Sequence, residues 1–450
     1  MASAKQNLGR RLALGQLECQ KSAHSRVGSH PSRWWRMTAM DLAAVKKLIS
    51  GEGWGLLQYL PSYDESTVLA LGEGLRAAGF DTDLVAAALT QSRLRAKGRE
   101  KFGDFAAGML FTADGLEQAT RLEIAARHAQ RFRRAGIRQV IDLGCGIGAD
   151  AMAIAGLDLQ VTAVEVDEMT ALLAGVNLRH WPGAVVSVGA VEDTQLPTGE
   201  GARHTGAWLD PARRTPGVSD ALGRTRRVFR LDAISPSWAT VQSIARSLPA
   251  TGAKMSPSLP HAAVPAGTEA QWTSLAGEVL ECAIWWGPLV TTAGRSALVI
   301  GSKGRSWTVR EADAGPSGGA APVASSLAQV GAWLYEPDRA VIRAGLTGAL
   351  STAVDGVELD SGVGYVTSDR CVDVGYARRF TVTESMPLNV KALRAWLRDR
   401  DVGRVTIKKR GVTLDADGLR RQLRLSGPEE MTLVITRVRN HQVCLVVRPA

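Results

Sequence analysis

The spacing of hydrophobic and polar positions changes along this chain and divides it into regions. From about residue 40 to residue 134, apolar residues recur every three or four positions, which indicates amphipathic helices. The stretch DESTVLALGEGLRAAGF begins with a capping region at Asp64 and Ser66 and ends at Gly79, as a helix does. We therefore predict an N-terminal helical segment over residues 40–134.

Beyond residue 134 the apolar residues form short runs that helical or loop segments separate. The runs are RQVIDLG (138–144), QVTAVEV (160–166), AVVSVGAV (184–191), GAWLDP (206–211) and GAKMSP (252–257). This alternation predicts an α/β fold with a parallel sheet and helices on both faces. Two later runs, EVLECAIWW (278–286) and SALVIGS (296–302), have no helix-length segment between them. We expect these two to pair antiparallel at one edge, which makes a seven-stranded sheet within residues 135–302.

The remaining parts of the chain differ in composition. Residues 303–376 open with a stretch rich in Gly, Ala, Ser and Pro, and we treat them as a linker and a region of uncertain structure. Residues 377–450 contain two helical and three strand patterns, which predict a small α/β domain. Residues 1–39 are predicted to be a disordered basic extension, which an over-long start ahead of Met37 or Met40 would explain; an organellar transit peptide is the alternative interpretation.

Composition and charge limit the classes of function. A chain of 450 residues with 45% hydrophobic and 22% charged residues is expected to form two or three globular domains. The net charge of +10 is uneven, because residues 376–450 hold 16 Lys and Arg against 7 Asp and Glu. Such a basic module suits docking to a polyanion, although a solvated charged face has the same composition.

Cysteine usage and hydropathy suggest the compartment. The five cysteines are scattered and show no CxxC or Cys/His spacing, so we predict reduced thiols in the cytoplasm, without disulfides and without a metal site. No uncharged apolar run approaches the roughly 20 residues that cross a bilayer, so no membrane partner is predicted.

A glycine-rich turn stands where the first strand becomes a helix, in VIDLGCGIGAD. Its glycines allow a tight turn and close approach of a ligand, and they are Gly144, Gly146 and Gly148. The turn also satisfies the dinucleotide pattern G-x-G-x-x-A. However, Asp142 precedes it, and a carboxylate there suits a cationic ligand such as S-adenosylmethionine better than a pyrophosphate. Glu165 ends the second strand, where it can accept hydrogen bonds from ribose hydroxyls of either cofactor.

These stretches, together with AVEVD, GAVED and LDPARR, resemble class I S-adenosylmethionine-dependent methyltransferases, which have a Rossmann-like sheet. The resemblance covers roughly residues 135–302. It implies that Asp142 and the three glycines hold the methionine end of S-adenosyl-L-methionine. It also implies that Glu165 binds the ribose and that Asp193, or Glu192, binds the adenine amino group.

Segments outside the sheet resemble a particular group of these enzymes. LYEPDRAVIRAGL, RRFTVTESMPLNVKALRAWLRDRDVGRVTIKKRGV and LRRQLRL are similar to bacterial methyltransferases with a THUMP-like C-terminal domain. THUMP domains deliver RNA to attached modification enzymes, so the resemblance implies RNA as a partner.

The stretch GAWLDPARR is the candidate catalytic site. Enzymes that methylate exocyclic amino groups carry Asp-Pro-Pro-Tyr or a variant at this strand end. Asp210 and the carbonyl of Pro211 would orient the amine, and Arg213 would stack on the base or hold a phosphate. An ordinary surface turn with the same residues is the alternative interpretation.

Other candidate residues are less specific. Pyrimidine C5 methylation would need a nucleophilic cysteine, and Cys145 and Cys282 both lack the expected Pro-Cys context. His261 follows the fifth strand and is either a base, a ligand or an incidental loop residue. The RNA-binding candidates directly follow a late strand, where they either contact phosphate or are solvated; they are Lys408, Lys409 and Arg410.

We therefore predict a cytoplasmic methyltransferase that acts on an amino nitrogen of a base in structured RNA, with rRNA or tRNA as the class. Two alternatives stay open at this point. The same enzyme could act on a protein or a small metabolite, or the chain could sense S-adenosylmethionine or bind RNA without turnover.

Overall fold

The structure, a computed structural model, describes residues 42–211 and 231–450. Within these ranges the chain folds as two units. The described residues of the first unit are 42–211 and 231–252, and those of the second are 253–450.

The first unit begins with helices whose ends the sequence marks by capping side chains. The hydroxyl of Ser50 accepts a hydrogen bond from the Gly53 amide, and the carboxylate of Asp81 accepts one from Leu84, which satisfies amides in the first turns. The helices are α1 (Leu42–Leu48), α2 (Gly51–Tyr59), α3 (Val68–Ala77), α4 (Thr82–Phe102), α5 (Ala113–Gln118) and α6 (Leu122–Arg134).

A parallel sheet follows, as the alternation of strands and helices predicts. Its strands are β1 (Gln139–Leu143), β2 (Gln160–Glu165), β3 (Ala184–Val188), β4 (Thr205–Leu209) and β5 (Thr251–Met255), in the order β3-β2-β1-β4-β5. The pairs of β1 with β2 and β4, and of β2 with β3, are parallel. The accompanying helices are α7 (Ala149–Ala155), α8 (Glu168–Leu178), α9 (Glu200–Arg203) and α10 (Trp238–Ser247).

The predicted antiparallel pair of residues 278–286 and 296–302 is wrong. An additional strand, β6 (Glu269–Leu275), pairs antiparallel with β7 (Glu278–Trp285) and parallel with β8 (Gly294–Ile300). Strand β9 (Ser306–Arg310) then pairs antiparallel with β8. The strand order from β5 onward is therefore β5-β7-β6-β8-β9, and the described residues form nine strands of this sheet where seven were predicted.

A second sheet lies wholly in the second unit and includes part of the predicted linker. Its order is β11-β12-β10-β13-β16-β15-β14. The strands are β10 (Trp333–Pro337), β11 (Val357–Glu358), β12 (Val366–Ser368), β13 (Ala377–Pro387), β14 (Val402–Lys409), β15 (Glu429–Val438) and β16 (His441–Pro449). The helices are α11 (Arg339–Arg343), α12 (Thr347–Val354), α13 (Val390–Arg398) and α14 (Ala416–Leu423). Because β10 pairs with β13, the sheet extends across the predicted boundary at residue 377.

Each face of this second sheet is covered by a different set of apolar side chains. On one face Leu393 and Leu397 of α13 and Leu419 of α14 pack in a core with Leu433. The other core contains Phe380, Tyr365 and neighbouring strand residues. The sides of α13 and α14 that face away from this core are therefore open to solvent or to a partner.

Candidate active site

The glycine-rich turn between β1 and α7 has the geometry that the sequence predicts. Gly144, Gly146 and Gly148 have φ values of +80°, +55° and +84°, which side chains other than glycine rarely adopt. The amides of Gly144 and Cys145 both donate to the carbonyl of Val164, at 2.9 and 3.0 Å. The turn is therefore held against the end of β2.

Glu165 joins the same turn through its carboxylate. Oε2 accepts a hydrogen bond from the Gly146 amide at 2.9 Å, and Oε1 accepts one from the Asp167 amide at 3.1 Å. The side chain is half-buried. Since each carboxylate oxygen can accept more than one hydrogen bond, both can still accept from a ligand.

The other two predicted cofactor acids occupy different environments. Asp142 is buried in β1, where it is in register with Ala163 of β2 and Trp208 of β4. Asp193 is exposed in a short 3₁₀ turn after β3. The last residue of β3, Val188, is in register with Glu165, so the turn of Asp193 begins at the same end of the sheet.

The predicted catalytic stretch follows β4 at that end. Asp210 is half-buried, and Pro211 is buried. The carbonyl oxygen of Asp210 lies 3.9 Å from the position that a Cβ on Gly144 would take. The structure thus brings Asp210 beside the glycine-rich turn, whereas Arg213 lies outside the described residues.

Neither cysteine candidate has the properties of a nucleophile. Burial, followed by the charges of Asp142 and Glu165, raises the pKa of the Cys145 thiol, so it stays protonated at neutral pH. Cys282 is fully buried in β7. The site therefore gives no support to pyrimidine C5 methylation.

His261 has protein partners on both ring nitrogens. Nδ1 accepts a hydrogen bond from Arg295 at 3.2 Å, and Nε2 donates to the carbonyl of Arg343 at 2.8 Å. This pattern requires a neutral ring with its proton on Nε2. Within the second unit His261 therefore links the end of β5 to α11, which is a structural role.

The three predicted RNA-binding residues differ in exposure. Lys408 and Arg410 both pair with Glu336 of β10, and these three side chains are mostly buried. Arg410 also lies over the ring of Tyr365, at 4.8 Å. Only Lys409 is exposed, and its ammonium donates to the carbonyl of Leu414. Two of the three cations thus have an internal acid as partner.

The sequence analysis missed a buried polar cluster beneath β4. Asp150, at the start of α7, accepts hydrogen bonds from Thr120 at 2.7 Å and pairs with His128 at 2.8 Å. The ring of His128 packs against that of Trp208, with centroids 4.3 Å apart. Trp208 lies two residues before Asp210, so this cluster supports β4 near its end. The signal in the sequence was an acid two residues after the last glycine of the turn.

Two exposed valines were also missed. Val166 directly follows Glu165, Val188 ends β3, and their side chains are 70% and 57% exposed. They form apolar surface at the end of the sheet where the predicted cofactor acids lie. Apolar residues that end parallel strands look identical in sequence to core residues.

Within residues 42–211 and 231–450, no group of three or more His, Cys, Asp or Glu side chains is arranged to hold a metal ion. None of the helices in these ranges is long and apolar enough to cross a membrane.

This chain is similar to known proteins in sequence and in fold. The THUMP domain-like family matches residues 377–449, and a domain of unknown function (DUF8688) matches residues 41–98. An uncharacterized S-adenosylmethionine-dependent methyltransferase of Mycobacterium tuberculosis, in two strains, is 28% identical over 372 residues, covering 79% of this chain and 95% of the relative. A candidate methyltransferase of Porphyromonas gingivalis W83 has a similar solved structure, with a TM-score of 0.65 and 19% identity, over 87% of this chain and 100% of that one.

The fold is thus that of class I methyltransferases, as predicted. The chain is an S-adenosylmethionine-dependent methyltransferase of this class with a THUMP-like domain at its C-terminus.

The ion pairs of Glu336 predict that Arg410 and Lys409 contribute differently to the stability of the fold. We expect Arg410→Ala to lower the free energy of unfolding by about 1–2 kcal/mol, because it removes one of two cations that compensate a mostly buried carboxylate. Lys409→Ala is the matched control and should change it by less than about 0.5 kcal/mol. Urea unfolding followed by tryptophan fluorescence measures both. If Arg410→Ala lowers the free energy of unfolding by no more than about 0.5 kcal/mol, as expected for Lys409→Ala, the ion pair of Arg410 does not stabilise the fold.

Proposed function

We propose that this enzyme transfers a methyl group from S-adenosylmethionine to an amino nitrogen of a base in structured RNA, of the rRNA or tRNA class. The supporting observation is the closeness of Asp210 to the glycine-rich turn, 3.9 Å from a Cβ position on Gly144. In open α/β sheets ligands bind outside the carboxyl ends of the strands, which is where both features lie.

The residues around the turn suit the parts of the cofactor. No described atom lies within 4 Å of a Cβ position on Gly146, so a ligand can approach the backbone there. Glu165 would accept hydrogen bonds from the ribose hydroxyls while it still holds the Gly146 amide. The exposed side chains of Val166 and Val188 would cover the adenine ring, and Asp193 would accept from its amino group.

Methyl transfer to an amine depends more on how the amine is oriented toward the methyl group than on a strong general base. When bound, S-adenosylmethionine supplies an electrophilic methyl group on a sulfonium. The Asp210 carboxylate and the Pro211 carbonyl would accept hydrogen bonds from the amine, which orients its lone pair toward the methyl carbon. Asp210 would also receive the proton that the nitrogen loses on methylation. Arg213 is proposed to stack on the base or to hold its phosphate.

Helix α13 of the THUMP-like domain provides the cationic surface for RNA. Lys391, Arg394 and Arg398 have the i, i+3, i+7 spacing of one helix face, and all three are exposed. Of the three, Arg398 pairs with Asp399, whereas Lys391 and Arg394 have no ion pair among the described residues. Trp396 is half-buried under the guanidinium of Arg400, 3.9 Å from its ring centroid. Phosphate contacts by such residues would position an RNA without reading its sequence.

We also propose that this enzyme is cytoplasmic. In the described part of the chain Cys145, Cys282, Cys371 and Cys444 are free thiols, and thiols are kept reduced in the cytoplasm. Structured RNA substrates are found in the same compartment.

The cofactor assignment predicts the effect of one substitution. Glu165→Ala should weaken binding of S-adenosylhomocysteine by about 1–3 kcal/mol, because it removes one or two ligand hydrogen bonds and the acceptor of the Gly146 amide. Glu168→Ala, an exposed acid three residues away, is the control and should leave affinity unchanged. Calorimetry measures both, and NADH should not bind. Unchanged affinity in Glu165→Ala would refute the assignment.

The catalytic assignment predicts that Asp210→Ala lowers methyl transfer by about 10²-fold or more, in line with loss of a positioned catalytic group. Affinity for S-adenosylhomocysteine should persist. The assay uses RNA from cells that lack this protein, with methyl-labelled cofactor. Arg213→Ala should mainly raise the apparent KM for RNA, and Arg213→Tyr should retain more activity than alanine if the role is stacking. Full turnover in both alanine variants would leave Asp210 and Pro211 as an ordinary turn.

The surface of α13 predicts a loss of RNA affinity when its charges are removed. Lys391→Gln with Arg394→Gln should weaken RNA binding and lower the slope of log affinity against log salt by about 1–2, as loss of two phosphate contacts requires. Arg404→Gln with Arg421→Gln is the matched control, since Glu430 and Asp415 already neutralise those cations. Substitution is preferable to deletion of residues 377–450, which would remove β13 from β10. An equal salt slope in both double variants would contradict docking on α13.

A further inference from the structure

The N-terminal helices reach the glycine-rich turn through an extended segment, residues 109–111. Met109, Leu110 and Phe111 of this segment are nearly fully buried. Buried backbone groups need hydrogen-bond partners, and here side chains of helices provide them. Gln91 of α4 donates to the Phe111 carbonyl at 2.7 Å and accepts from the Phe111 amide at 3.0 Å. Arg95 of α4 donates to the Met109 carbonyl at 2.9 Å.

Asn177 of α8 joins this segment to the turn itself. Its Oδ1 accepts from the Leu110 amide at 2.8 Å, and its Nδ2 donates to the Leu110 carbonyl at 3.0 Å. The same Nδ2 donates to the carbonyl of Ile147 at 2.8 Å. Ile147 stands between two of the positive-φ glycines, and Asn177 is only 2% exposed. The buried side-chain amide of Asn177 therefore binds the backbone of Leu110 and the backbone of Ile147, and both of its N–H groups are used.

Apolar packing connects the same elements. The core of helices α1 to α4 includes Leu110 and Leu173, and Met169, Leu172 and Val176 of α8 pack against it. Gly115 of α5 allows a second close approach, since a Cβ there would lie 2.6 Å from Cγ2 of Ile147. The helical region and the turn therefore share one packed interior in the first unit.

We propose that the N-terminal helical region, including residues 41–98 that match a domain of unknown function, is a structural part of the cofactor site. In this proposal Asn177 is a positioning residue. It holds the Ile147 carbonyl and thereby keeps the turn in the shape that receives the methionine end of the cofactor. The inference rests on the proposed cofactor role of the glycine-rich turn.

The turn needs such support because glycines leave its backbone free to adopt many conformations. Its amides are held by β2, at Val164 and Glu165. Its Ile147 carbonyl accepts a hydrogen bond from the Asn177 side chain. That side-chain amide is itself held in place by its hydrogen bond with the Leu110 amide. Loss of Asn177 would leave two buried carbonyls and one buried amide without this partner, and the turn and the segment would both rearrange.

The test compares two buried amides that hold the same segment. Asn177→Leu should raise the Kd for S-adenosylhomocysteine by about tenfold or more, a typical size for coupled sites. Gln91→Leu breaks the hydrogen bonds to Phe111 and loosens the segment one step away from the turn, so it should raise the Kd less than Asn177→Leu does, by no more than about threefold. Equal losses in the two variants, or no loss in Asn177→Leu, would overturn the proposal.

A second readout separates positioning from general stability. By reciprocity, cofactor binding in the native chain should slow hydrogen exchange at the amides of Leu110 and Phe111. This slowing should disappear in Asn177→Leu at saturating S-adenosylhomocysteine and persist in Gln91→Leu at Leu110. Protection that persists at Leu110 in Asn177→Leu would overturn the proposal.

If Asn177→Leu does not fold, Gly115→Ala provides the second variant. Its added Cβ should displace Ile147 and raise the Kd, whereas Gly175→Ala in α8, with no described atom within 4 Å of its Cβ position, should not. Equal Kd values for these two variants would count against the proposal. The native chain is measured first, because absence of S-adenosylhomocysteine binding there would refute the cofactor role of the turn, and this inference with it.

Discussion

The turn of residues 144–148 is the constraint on which the rest of the site depends. Its three glycines have positive φ values that other residues rarely adopt. Without a Cβ the backbone can approach a ligand closely, but it can also adopt many other conformations. The shape has to come from outside the turn. The end of β2 supplies Val164 and Glu165, and α8 supplies Asn177. Helix α8 in turn shares its apolar core with the N-terminal helices, so a remote region contributes to the geometry of the site.

The sequence was sufficient to predict the elements whose signals are local. Strands β1 to β5 are apolar runs, and the glycines, Asp142, Glu165 and Asp210 stand next to them. Strand β6 was missed because it carries polar residues that the fold buries. Its Glu269 accepts from Ser296 at 2.8 Å and from the Thr291 amide at 2.9 Å, partners more than twenty residues away. A polar residue whose partner is distant in sequence looks like a loop residue, so β6 and the correct pairing of β7 could not be predicted.

The same reason explains the basic residues of the second unit. Lys408 and Arg410 have the composition of a phosphate contact, but Glu336, more than seventy residues earlier, pairs with both. Exposed and ion-paired cations cannot be distinguished without the partner. Helix α13 illustrates the opposite case, because its apolar residues Leu393 and Leu397 define the buried side and leave Lys391 and Arg394 exposed. On that helix a local pattern does predict the exposed cationic surface.

We propose that the reacting group is an amino nitrogen of an RNA base. The most direct measurement is nucleoside mass spectrometry of RNA from cells that lack this protein, after incubation with the purified native chain and methyl-labelled S-adenosylmethionine. The account predicts a single labelled nucleoside whose fragmentation places the methyl group on an exocyclic amino nitrogen. Label at a ring carbon or a ribose oxygen, or label only in protein or small molecules, would contradict it.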